Sequence, residues 1–167
     1  MENIKSFKTF LTEMPIITKA LTKDKIKIEV PPKGSKKLAS TGSYNIVKHT
    51  PGPDGYGGYS FVHKDNKEIH FQIRGLHLGN NRFSITKVKK HNKFEHSGTE
   101  AYKELTKHVN LVSDEHMSPG AERIYRNLAA DKEVSIHTFD KQKEKIRPET
   151  IDKYFDSSKR FIVSRNT

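Results

Sequence analysis

The chain contains no cysteine. Disulfides, iron–sulfur clusters, thiolate zinc sites and a cysteine nucleophile are all excluded by that one absence. No run of about 18 apolar residues occurs, so no segment reads as a membrane helix. The first residues lack the apolar centre of a secretory signal. There is no Walker loop, no Gly-x-Ser-x-Gly elbow and no dinucleotide-binding glycine fingerprint. Apolar residues are scarce, 32% of the chain against 31% charged. That balance predicts a small core under a large wet surface.

What is abundant is positive charge. The net charge is +11 over 167 residues. Such a surface attracts polyanions without a dedicated site, and nucleic acid is the obvious one. The lysines are spread along the chain and not gathered in a block. The length fits one domain with short extensions.

Residues 1–20 predict a short amphipathic helix, with Ile4, Phe7, Phe10 and Leu11 on one face and Pro15 as its breaker. A lysine-rich strip, Lys19 to Lys27, runs into a predicted strand over 26–30, and residues 21–43 read as a basic segment ending in an exposed linker. Alternation then predicts strands over Tyr44–His49, Tyr59–Lys64, Glu68–Leu76 and Arg82–Val88. The glycine-rich stretch Gly55-Tyr56-Gly57-Gly58-Tyr59 reads as a close approach to a ligand or as a connection. Ser97-Gly98-Thr99-Glu100 is a capping box opening a helix. A strand is expected at Val109–Val112. Ser118-Pro119 opens a second helix with Ala121, Ile124, Tyr125 and Leu128 on one face, and a closing strand is expected at Val134–Phe139. Residues 141–167 read as a charged extension with a helix near Pro148–Phe155 and an apolar tail at 161–163. The expected class is α+β: a mostly antiparallel sheet followed by α-β-α-β in a single domain.

Nine histidines raise the question of metal, but none forms a helical His-x-x-x-His pair with an intervening glutamate, and no metal site is assigned. Asp114 follows a predicted buried strand, at the carboxyl end where ligands gather in such folds, and is a candidate base. A turn or cap role is its structural alternative.

The succession of a long strand at 82–88, a loop at 89–98, a helix at 99–108, a strand at 109–112 and a helix carrying Ala121, Ile124 and Tyr125 resembles the GNAT acyltransferase core. The resemblance covers residues 44–140. The phrase Leu111-Val112-Ser113-Asp114-Glu115-His116-Met117-Ser118-Pro119-Gly120-Ala121 is similar to one in GNAT-like proteins of tailed phages. The resemblance implies acetyl-CoA as cofactor, its pyrophosphate held near Ser97, Gly98 and Thr99 with help from Lys93. It implies an amine as acceptor, and Tyr125 as the acid that protonates the leaving thiolate. Helix N-terminal amides suit an anion. The loop departs from the family pattern, however. Only Gly98 remains of its glycines, and Glu95 and Glu100 would repel phosphate.

Ser6-Phe7-Lys8-Thr9-Phe10-Leu11-Thr12-Glu13 resembles the leader of proteins packaged in phage proheads, which implies cleavage after Glu13. The alternative expectation is a non-enzymatic basic protein. It would sit in the virion interior, pass to the host cytoplasm and bind DNA or a host protein so as to counteract host defence.

Overall fold

Alternating apolar and polar residues build the first five strands, and their turns are set by residues that tolerate a positive φ. The computed structural model describes residues 28, 30–141, 143–157 and 159–166. The expected N-terminal helix, the Glu13 cleavage point and the Lys19–Lys27 strip lie outside the described residues. The strands are β1 (Lys36–Thr41), β2 (Tyr44–Lys48), β3 (Tyr56–His63), β4 (Ile69–Gly79) and β5 (Arg82–Lys90). Then follow α1 (Gly98–Thr106), β6 (Asn110–Val112), α2 (Pro119–Ala129), β7 (Val134–Thr138), β8 (Lys145–Ile146), α3 (Asp152–Phe155) and β9 (Phe161–Arg165). Hydrogen bonding orders the strands β1-β2-β3-β4-β5-β6-β9-β7-β8. The class is α+β with a mostly antiparallel sheet, as expected. The chain divides into two compact units, residues up to Leu76 with Lys87–Glu95, and His77–Thr86 with His96–Thr167.

The first unit is a meander. β1 pairs with β2 across a two-residue turn, Thr41 facing Tyr44, with Gly42 at φ +54°. β2 pairs with β3, Ile46 facing Phe61, and β3 with β4, Phe61 facing Phe71. Tyr44, Ile46, Phe61, Phe71 and Ile73 are fully buried. Phe94, from the loop after β5, closes over them, its ring 5.0 Å from those of Phe71 and Tyr44. Of the glycine-rich stretch, Tyr56–Tyr59 form the first half of β3, and Gly55 lies in the turn that precedes it. A Cβ on Gly58 would lie 2.4 Å from the Ile73 carbonyl oxygen and 2.7 Å from Arg74 Cδ, so only glycine fits. Arg74 uses the space to cover the Tyr56 ring at 4.8 Å and donate to the Gly57 carbonyl at 3.1 Å. β1 occupies part of the stretch read as linker. Its side chains are exposed or half-buried, which is why alternation there is weak.

The second unit holds the helices. β5 and β6 are parallel, with Arg82, Phe83 and Ser84 facing Asn110, Leu111 and Val112. The capping box at Ser97 is formed as the sequence predicts. Ser118 caps α2 by accepting from the Ala121 amide at 3.2 Å, with Pro119 in the first turn. The stretch read as an extension supplies β8, α3 and β9, and β9 lies between β6 and β7, antiparallel to both. Phe161 and Val163 of β9 are fully buried, so the apolar tail is a core strand. The expected helix from Pro148 is shortened to the four residues of α3.

Candidate functional site

The residues expected to cradle an anion are at the start of α1. A helix leaves its first amides without partners inside the helix. Here Ser97 Oγ accepts from the Glu100 amide at 3.1 Å, and the Glu100 carboxylate accepts from the Ser97 amide at 2.8 Å. That leaves the amides of Gly98 and Thr99. Gly98 is packed beneath α2, where an added Cβ would lie 2.7 Å from Ile124 Cδ1. Thr99 Oγ1 accepts from Asn127 Nδ2 at 3.1 Å. The positive end of the helix dipole therefore already holds a carboxylate. The Ser97 amide bond keeps the Glu100 carboxyl below its ordinary range, so it stays charged at neutral pH. An incoming phosphate would meet that charge.

Tyr125 is 2% exposed. Its ring stands edge-on to Tyr102 at 5.8 Å and to Phe161 at 5.5 Å. Desolvation, reinforced by Tyr102 and by the charge of Asp114, pushes its phenol well above the usual tyrosine range. A phenol that resists ionisation is a poor proton relay at pH 7 but a sound core residue. Asp114 is exposed, and its carboxylate accepts from the Glu115 amide at 2.8 Å, the turn role weighed against a base. The structure thus brings Gly98 and Thr99 against α2, leaves Ser97 exposed as the cap, and sets the Asp114 charge where it acts on Tyr125. Lys93 is exposed and belongs to the other unit. The paired length of β5 and β6 covers every residue of β6, so these strands are zipped along all of it.

Sequence reasoning missed a polar cluster in the first unit. Tyr44, 0% exposed, places its hydroxyl 2.7 Å from His70 Nδ1, and His70 Nε2 lies 2.9 Å from Glu68 Oε1. The Tyr44 oxygen also accepts from the Glu95 amide at 3.0 Å. Glu95 in turn accepts from Ser43 Oγ at 2.9 Å and faces His63 Nε2 at 3.0 Å. Desolvation pushes His70 below the ordinary imidazole range, outweighing the Glu68 hydrogen bond that raises it. That hydrogen bond holds the Glu68 carboxyl low. A second buried set lies on the same strands: His49 Nε2 is 2.6 Å from Ser60 Oγ, which accepts from Gln72 Nε2 at 2.8 Å. The signal in the sequence was the spacing of polar residues inside predicted buried strands, as in His70-Phe71-Gln72. Periodicity gives no weight to such residues.

Among the described residues no group of three or more histidine or carboxylate side chains is placed to hold a metal ion. No described helix is long and apolar enough to cross a membrane.

Charge is distributed unevenly. Among the described residues the first unit carries 11 lysines and arginines against 4 acidic residues, the second 14 against 12. In the second unit many of these are paired: Lys103 with Asp131 and Glu133, Arg126 with Asp152, Arg165 with Glu133. In the first, Lys36, Lys37, Lys87, Lys90 and Lys93 are exposed and make no ion pair among the described residues. No protein-family model, curated protein or solved structure matches this chain.

Proposed function

We propose that the protein is a non-enzymatic binder of a polyanion, with nucleic acid as the class, working through its β-rich unit. The observation that carries this reading is the charge asymmetry: among the described residues an excess of seven cations sits on one unit, with exposed lysines that form no ion pair with described carboxylates. Lysines held apart from carboxylates keep their full field in solution, and phosphates that replace their counterions gain the entropy of ion release. Binding of this kind is insensitive to sequence and steep in salt. It is tested by filter binding of duplex DNA across a salt series. A logarithmic affinity that falls linearly with log salt supports it, and a flat response rejects it. The packaged-phage setting suggested by the leader and by the phrase at 111–121 fits a protein that lies against DNA.

A second reading is acyl transfer by a GNAT-like core using acetyl-CoA. It is favoured by the order β5, α1, β6, α2 with β5 and β6 parallel. Against it stand the Glu100 carboxylate at the α1 terminus and the buried phenol of Tyr125. Calorimetry with acetyl-CoA separates the two. Heat of binding at millimolar ligand or below revives acyl transfer, and its absence leaves the polyanion binder.

A further inference from the structure

Three histidines of the β-rich unit share one hydrogen-bonding geometry. The Asp65 amide donates to His63 Nδ1 at 3.2 Å, and the Lys93 amide donates to His91 Nδ1 at 3.0 Å. A backbone N–H can only donate, so neither Nδ1 carries a proton. For His70 the tautomer follows from its other nitrogen. Nε2 faces the Glu68 carboxylate, which only accepts, so Nε2 holds the proton and Nδ1 receives the one from Tyr44. His63 Nε2 likewise faces the Glu95 carboxylate. The rings are neighbours: His63 and His70 lie 5.5 Å apart, His70 and His91 5.7 Å and stacked. His70 and His91 are almost fully buried.

We propose that His63, His70 and His91 form a proton-sensitive latch that fastens the 63–68 turn and the 91–95 loop at neutral pH and releases them on acidification. A proton arriving at Nδ1 of His63 or His91 sets an N–H against a backbone N–H, so the bond it displaces is broken. For His63 and His91 that bond holds a turn two residues on. At His70 the Tyr44 hydroxyl must reverse and accept, so its oxygen then carries a second donor beside the Glu95 amide and its own proton loses its acceptor. A second protonated ring adds a like charge within the ring spacing just given. The groups that face the cluster are Glu68 before β4, Glu95 and Lys93 on the loop, and Tyr44 on β2. Both carboxyls are held below their ordinary range, so they remain ionised at mildly acid pH. They draw protons in, while burial of His70 and the neighbouring rings keep them out. Burial holds His70 below the ordinary imidazole range. The latch is independent of the polyanion reading, because it concerns how the loop is held and not what it meets.

The test is amide hydrogen exchange by NMR on the full chain from pH 7.5 to 5, corrected for the intrinsic rate at each pH, with the imidazole nitrogens observed alongside. At pH 7.5 all three rings are expected as Nε2–H tautomers. Protection of the Asp65, Lys93 and Glu95 amides is expected to fall between pH 7.5 and pH 5, while the amides of Val134–Thr138 hold. An Nδ1–H tautomer at His63 or His91, or full protection at pH 5, overturns the proposal. His91→Asn provides the control. Its Oδ1 accepts from the Lys93 amide two residues on and does not titrate. Lys93 is then expected to stay protected at pH 5, and loss of protection as in the wild type would show that the imidazole is not the sensor.

Discussion

The two units solve the problem of a small core in opposite ways. The helix-bearing unit buries aromatic rings against one another, Tyr102, Tyr125 and Phe161, and pairs its surface charges. The meander buries rings too, but threads polar side chains among them: Tyr44–His70–Glu68 and His49–Ser60–Gln72. It leaves its lysines exposed. The first arrangement depends on volume and tolerates changes of pH. The second depends on protonation states, since each buried polar group is stable only while its partner presents the right proton.

The sharpest test of the contrast is volume. Phe161→Ala removes the ring that Tyr125, Tyr154 and Phe155 all touch. It is expected to cost about 3–5 kcal/mol in urea unfolding followed by a helical signal. The complementary change in the meander is Tyr44→Phe, which keeps volume and removes one hydroxyl. It leaves the Glu95 amide and the buried His70 Nδ1 without that partner and is expected to cost about 1–3 kcal/mol. If the two substitutions cost the same, the distinction between the units fails.

Acid gives a third comparison. His70 is neutral in the fold, with a pKa below that of the unfolded chain. The stability it contributes is therefore complete above the ordinary imidazole value of about 6.5 and is lost as pH falls from there toward its folded value. Thermal scans between pH 7.5 and 5 are expected to show the loss, and His70→Gln is expected to flatten the pH profile even though it lowers stability at pH 7.5. A fourth contrast is electrostatic. Changing Lys87, Lys90 and Lys93 together to Gln is expected to reduce the salt slope of DNA binding by up to about 2.7, at 0.9 per phosphate contact. The same change at Arg123, Lys132 and Arg147 is expected to leave the slope nearly unaltered. The smallest effect is expected from Lys103→Ala. Its two carboxylate partners are near the surface, and loss of such pairs costs up to about 1 kcal/mol.

Which features could be read in the sequence follows from the same division. Both helix starts were legible because capping is local: Ser97 with Glu100, and Ser118 with Pro119. The meander from Tyr44 to Val88 was legible from alternation. β9 was not, since Phe161-Ile162-Val163 is too short to show a period and its partners Leu111 and Ile136 are remote in sequence. β1 was hidden by the low burial of its side chains. At the candidate site, sequence placed Ser97 and Glu100 correctly but could not show that the carboxylate takes the place of a ligand. The histidine cluster was invisible for a related reason. His63, His70 and His91 come from β3, β4 and the loop after β5, and only strand register brings them together.

The position of β9 governs when the helix-bearing unit can be completed. Its neighbours in the ladder, β6 and β7, are both made earlier, yet they are joined only through a strand that ends at Arg165. During synthesis at about 5–20 residues per second, β6 must wait for the roughly fifty residues that follow it before its second edge is covered. Throughout that interval Leu111 and Val112 present an unsatisfied backbone edge to whatever is near. A nascent chain stalled before Phe161 would thus carry an open, apolar strand, a natural hold for a chaperone or a seed for aggregation.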